Sequence, residues 1–170
     1  MKDPVNEDEL AFLQDVRSVD VDTGEVRVSS EPVTLRAVAI GSCVAVMIYD
    51  RHKKIGGLAH IMLPGRSLKG ESESRTKYAE DALDVLFDAV KRLGVKTSDL
   101  EISVVGGANV LQEGDIPDKV VESVLDYLKI VNVEWNKKRV GGTERRSVFL
   151  DTTSGRIFYS EGDNTARVLQ

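Results

Sequence analysis

One cysteine and two histidines are the side chains in this 170-residue sequence best suited to covalent chemistry. Cys43 lies in Ile40-Gly41-Ser42-Cys43-Val44-Ala45-Val46. A thiolate is intrinsically nucleophilic near neutral pH. A glycine just before it lets the backbone bend and frees N–H groups to face an oxyanion. Free cysteine is also among the most buried residue types, so a core cysteine is the competing reading. A nucleophilic thiol needs a base, and histidine is the usual one. His52 falls in the charged stretch Asp50-Arg51-His52-Lys53-Lys54 and reads as a solvated surface residue. His60 lies within Gly57-Leu58-Ala59-His60-Ile61-Met62-Leu63, where an imidazole is costly without a hydrogen-bond partner. If the segments on either side of residues 50–54 pair, Cys43 and His60 fall at similar heights on adjacent strands. A satisfied core histidine competes with the catalytic reading.

Two glycine pairs, Gly106-Gly107 and Gly141-Gly142, lack the Lys-Ser or Lys-Thr of a phosphate loop. They read as tight turns or close backbone approaches, or as lining for a pocket around the thiol. One cysteine and two histidines cannot form a common zinc site without carboxylates. Neither a metal nor a cofactor is expected.

The elements that position these residues follow from pattern. Leu10, Phe12, Leu13 and Val16 suit a short amphipathic helix in an N-terminal arm, residues 1–20. Asp22-Thr23-Gly24 is a turn signal between Val21 and Val26. Val33–Ile40 is an apolar run that Gly41-Ser42 interrupts and Cys43–Tyr49 resumes, as in a strand buried on both faces. Ile55–Leu63 is the next strand, expected to close a hairpin. Residues 65–76 read as a mobile loop. Tyr78, Ala82, Val85, Leu86, Ala89, Val90 and Leu93 recur at helical spacing and Gly94 stops the helix. A second helix starts near Pro117. Further strands are expected at 101–105, 131–135, 146–150 and 156–159. Without strict β-α-β alternation the predicted class is α+β, in one domain over residues 21–170.

Composition narrows the function. Apolar residues make up 41% and the formal net charge is −5, which argues against a nucleic-acid binder with its basic stripe. A lone cysteine fits a reducing compartment. No signal peptide is evident at the acidic start and no apolar run approaches a membrane span. The expectation is a cytoplasmic protein that is not membrane-inserted.

Taken together, Gly41-Ser42-Cys43-Val44-Ala45-Val46, Tyr49-Asp50 and Gly57-Leu58-Ala59-His60-Ile61-Met62-Leu63-Pro64 resemble the chemoreceptor glutamine deamidases known as CheD. Lys77-Tyr78-Ala79, Gly106-Gly107-Ala108-Asn109, Val140-Gly141-Gly142, Arg146-Ser147-Val148 and Thr153-Ser154-Gly155 extend the resemblance from about Val21 to Tyr159. It implies a layered sandwich of mixed β-sheets with flanking helices, similar to the catalytic domains of deamidating toxins. It implies deamidation of glutamine side chains in methyl-accepting chemoreceptors through a thioester, with Cys43 as nucleophile and His60 as base. Some members also bind a CheC-type phosphatase. The family's third catalytic residue, a threonine six positions before the cysteine, is Ala37 here, and Thr34, three residues away, sits on the other strand face. Either another group orients His60, or activity is reduced and the chain acts as a binding partner of the phosphatase or receptors. A generic cysteine hydrolase of small amides would explain Cys43 and His60 but not the matches in the second half.

Overall fold

The computed structural model describes residues 17–68 and 75–170. The helix expected at Leu10–Val16 lies outside the described residues, as do residues 69–74, half of the loop expected to be mobile.

Ten strands and two α-helices form the described part. The strands are β1 (Ser18–Asp20), β2 (Val26–Ser29), β3 (Thr34–Ile40), β4 (Val44–Asp50), β5 (Ile55–Ile61), β6 (Leu100–Gly106), β7 (Lys137–Val140), β8 (Arg146–Asp151), β9 (Ile157–Glu161) and β10 (Arg167–Val168). The helices are α1 (Ala79–Arg92) and α2 (Ile116–Ile130). One sheet runs β1-β3-β8-β9-β10 and the other β2-β5-β4-β6-β7. Each is mixed: β1 pairs parallel with β3, β6 parallel with β7, and the remaining pairs are antiparallel. The α+β class and its layering of sheets and helices are as expected.

Strand β4 explains the layering. All seven of its residues are buried. Val44, Val46 and Ile48 point into a core shared with Leu83, Leu86 and Val90 of α1 and Val120, Val124 and Leu128 of α2. Ala45 and Met47 point the other way, into a core with Leu35, Val148 and Leu150 of the opposite sheet. Alternate side chains of a strand face opposite ways, so a strand covered on both sides is apolar on both, as β4 is from Val44 to Ile48 before it ends in Tyr49 and Asp50. Each large apolar side chain buried in this way contributes roughly 1.5–3 kcal/mol.

Two expectations change. Val33–Tyr49 is not one interrupted strand: β3 belongs to one sheet and β4 to the other, and Gly41–Cys43 is the crossing between them. No strand forms at 131–135. That stretch leaves α2 through a turn with Asn132 in the left-handed region, φ 57°, and the strand begins at Lys137. Helix α1 begins at Ala79, carries Glu80 and Asp81 in its first turn and Lys91 and Arg92 in its last, and is followed by Gly94 at φ 82°. This arrangement suits the helix dipole and the left-handed stop.

Candidate active site

Cys43 sits one residue before β4, where the chain has just changed sheets. The end of β3 prepares the crossing. Its pairing with β8 runs Ala37 to Val148 and then Ile40 to Arg146, so one extra residue is bulged out. Ala39 occupies the left-handed region at φ 52°, and its N–H donates to Ser147 Oγ at 3.0 Å. Bulges of this kind bend a strand and re-aim the residues after it.

From the other side, Gly106 and Gly107 hold the crossing. Gly107 N–H donates to the Cys43 carbonyl at 2.8 Å and Ala108 N–H to the Gly41 carbonyl at 2.9 Å. Gly106 has φ 125°, and a Cβ there would lie 2.3 Å from the Cys43 carbonyl oxygen. Only glycine fits. Gly141 N–H donates to the Gly106 carbonyl at 3.0 Å and Asn109 N–H to the Gly142 carbonyl at 2.9 Å, so the second pair braces the first. Buried Arg146 donates to the same Gly106 carbonyl at 3.2 Å.

His60 comes from β5, paired with Ala45 across the β4–β5 hairpin. It lies on the Leu58 face, the side turned to the opposite sheet, as Cys43 does. Extending the register places Cys43 in line with Met62, so Cys43 and His60 are diagonal neighbours on one face. Such neighbours stand roughly 7–8 Å apart, within reach of longer side chains. His60 is 5% exposed, and its Nδ1 lies 2.8 Å from the Val21 carbonyl oxygen. A carbonyl can only accept, so Nδ1 carries the proton and Nε2 the lone pair.

Burial favours the neutral form of both groups. Burial holds His60 below its ordinary 6.5, partly offset by the Val21 carbonyl and the charges of Asp22 and Glu25. Burial pushes the half-buried Cys43 thiol above its ordinary 9.0, while the Thr23 hydroxyl, hydrogen-bonded to it, pulls the other way. Burial thus favours thiol and imidazole over thiolate and imidazolium. Such a pair needs proton transfer during attack, as in general-base catalysis. His52 is exposed, in the turn at the opposite end of the hairpin, and takes no part. Thr34 is fully buried with its hydroxyl unpaired, three residues from Ala37, which is part of the sandwich core that Cys43 borders. Among the described residues no cluster of three His, Cys, Asp or Glu could hold a metal ion.

The family described as CheD chemotactic sensory transduction matches residues 62–161. The chain belongs to this family. Relatives named chemoreceptor glutamine deamidase CheD align over more of the chain. That from Methanococcus vannielii is 34% identical over 152 residues, covering 87% of this chain and 97% of its own. That from Chlorobium luteolum is 34% identical over 149 residues, covering 86% and 74%. That from Clostridium botulinum is 27% identical over 150 residues, covering 85% and 93%. The match to the CheD family begins just after His60 and takes in the glycine pairs and Arg146 that brace the Cys43 crossing.

Two groups at this candidate site have no role in the sequence reading. The Val21 carbonyl carries no side-chain signal. Arg146, 4% exposed, enters it only as part of the family resemblance and the start of a strand, not as a brace for the Cys43 crossing.

Proposed function

We propose that this protein deamidates glutamine side chains of methyl-accepting chemoreceptors, with Cys43 as nucleophile and His60 as base. The observation that carries the reading is Cys43 and His60 on one face at a glycine-braced sheet crossing, in a chain of the CheD family. The relatives' names supply the substrate.

His60 Nε2 takes the thiol proton as Cys43 Sγ bonds to the carboxamide carbon. The amides of Ser42 and Cys43, on the crossing, stabilise the oxyanion. The imidazolium returns its proton to the departing nitrogen, ammonia leaves, and a thioester remains. His60 then deprotonates water, which attacks the thioester carbon. The sulfur leaves, regains a proton, and the side chain is now glutamate. The acid–base role needs no cofactor. Exposed Val38, Met62 and Val110 surround the crossing and suit a protein surface better than a small amide. No described helix is long and apolar enough to cross a membrane, and we place the enzyme in the cytoplasm, facing the receptors' signalling regions.

Purified protein incubated with chemoreceptor fragments should release ammonia, with glutamine-to-glutamate conversion seen by peptide mass spectrometry. Cys43→Ala should abolish both. Equal behaviour of the two proteins would refute the enzyme reading.

Ala37 favours a second reading, in which the chain docks a CheC-type phosphatase with little turnover. Capture of such a phosphatase without ammonia release would make binding its primary role.

A further inference from the structure

We infer that Asp22 and Arg145, exposed on opposite sides of the Cys43 crossing, read the charges that flank the target glutamine, so that the site favours a helical segment with a basic residue on one side of that glutamine and an acidic residue on the other. The inference rests on the proposed deamidase reading and narrows its substrate.

The strands beside the crossing place both residues at the same end of the sandwich. β1 and β8 are the two neighbours of β3, and β3 ends at Ile40, where the crossing to Cys43 begins. Asp22 continues from β1, which runs parallel to β3. Val21 N–H donates to the Arg36 carbonyl at 2.8 Å. The chain then turns over β5: the Val21 carbonyl accepts from His60 Nδ1 at 2.8 Å, and Gly24 N–H donates to the His60 carbonyl at 2.8 Å. Asp22 therefore stands on the His60 side of the thiol.

Arg145 comes from the other side. It immediately precedes β8, whose Arg146 pairs with Ile40. One step further along that register sets Arg145 against Gly41. A Cβ on Gly41 would lie 4.0 Å from Arg145 Cγ and 3.4 Å from Val110 Cγ2. Arg145 thus joins Val110 on the rim away from His60.

Neither charge is neutralised among the described residues. Asp22 and Arg145 are both exposed. Their charged neighbours are otherwise engaged: Glu25 pairs with Arg27 at 3.2 Å, and Glu161 with Arg139 and Arg146. Glu144 turns towards Gly162, where a Cβ would lie 3.5 Å from its carboxylate. One free anion and one free cation remain, with the thiol between them.

The spacing suits a helix. β1 and β8 are two strand spacings apart, roughly 10 Å. Two turns of α-helix span about 11 Å. Residues four before and four after a glutamine share its face. A helix that presents the glutamine to Cys43 therefore carries its flanking residues to Asp22 and Arg145. Opposite charges there favour one orientation of the segment and disfavour the reverse.

The test uses a chemoreceptor cytoplasmic fragment with one target glutamine, in two versions. One has Glu four residues before the glutamine and Lys four after; the other has the reverse order. An exposed ion pair shifts preference by at most about fivefold. At low salt, wild type should convert one version with kcat/KM about fivefold above the other. The double variant Asp22→Lys with Arg145→Glu should invert that order, and added salt should shrink it. A second readout needs no substrate. Cys43 is the only cysteine, so its labelling rates by sulfonatoethyl and trimethylammonioethyl methanethiosulfonate report the charge around it. Arg145→Gln should slow the anionic reagent relative to the cationic one several-fold, and Asp22→Asn should do the opposite. Equal conversion of the two versions by wild type, a double variant that keeps the wild-type order, or unchanged reagent ratios in both single variants overturns the inference. No conversion of either version, with the reagent ratios shifted as stated, would remove the deamidase reading and leave the charge polarity of the site standing.

Discussion

At the scale of single residues, the proposed nucleophile and base both sit where burial favours the uncharged form, and this sets the expected response to pH. His60 is held below its ordinary 6.5 and Cys43 above its ordinary 9.0. Below 6.5 the unfolded chain binds a proton at this histidine that the fold resists, so His60 lowers stability as pH falls from 6.5 to its depressed native value. Above 9.0 the unfolded thiol ionises and the folded one does not, so Cys43 lowers stability as pH rises from there to its raised value. Between the two, neither group contributes a slope. Urea denaturation at a series of pH values should show His60→Gln losing less stability than wild type between neutral pH and 5. A parallel dependence in the two proteins would mean His60 titrates as it does in the unfolded chain. The acid limb of deamidation should correspondingly fall below 6.5, because the base must be neutral to act. Cys43 and His60 were both legible in the sequence, the first as a thiol after a glycine, the second as an imidazole in an apolar run. Their companions were not. A backbone carbonyl leaves no trace in a sequence, and that of Val21 meets His60 only after the turn and the β2–β5 pairing have closed.

At the scale of elements, the informative feature is how unequal the glycines are. Gly106 and Gly141 both have positive φ, 125° and 81°. A Cβ on Gly106 would press against the Cys43 carbonyl at 2.3 Å and the Val44 Cα at 3.1 Å, backbone atoms that cannot step aside. A Cβ on Gly141 would meet nothing within 4 Å. Gly141→Ala should therefore cost about 1–2 kcal/mol, the backbone term alone. Gly106→Ala should cost more, roughly 3 kcal/mol or above, because the crossing must also move. It should reduce deamidation further than its stability loss explains, since the displaced atoms carry Cys43. Thermal melts and activity at a temperature where both variants stay folded check the ranking. Equal costs would mean the crossing is softer than its contacts imply. The run of strands was largely readable from β-branched and apolar periodicity. What periodicity could not reveal is which sheet each strand joins. Val33–Tyr49 has the composition of one continuous buried strand, and only pairing with β8 on one part and with β5 and β6 on the other separates β3 from β4. The apolar residues of 131–135 misled for a related reason. Val133 and Trp135 pack against the helix-side core from an irregular segment, where burial rather than strand pairing requires them.

At the scale of the whole molecule, the sheet containing β4 is common to two cores, and this should make unfolding a single event. Its one face carries α1 and α2, its other face the opposite sheet, and alternate residues of the same seven-residue strand serve each. Neither core can keep its packing if β4 loses the other, because its backbone position is set from both sides. The lone tryptophan, Trp135, packs against the helix-side core and reports on that layer. Far-UV circular dichroism reports on all the secondary structure. Leu58 is fully buried in the sandwich core and Leu86, on α1, is fully buried in the helix-side core. Truncating either to alanine should cost about 2–5 kcal/mol. The prediction concerns how that loss is distributed. In urea titrations, Leu58→Ala should shift the Trp135 fluorescence transition as far as the circular dichroism transition, although Leu58 is on the other face of the sheet from the tryptophan's core. Leu86→Ala should likewise move both together. Coincident transitions are the signature of two-state unfolding. If Leu58→Ala moved the dichroism midpoint and left the fluorescence midpoint in place, the two layers would unfold separately. The Cys43 crossing, which joins one layer to the other, would then be a hinge rather than a fixed brace.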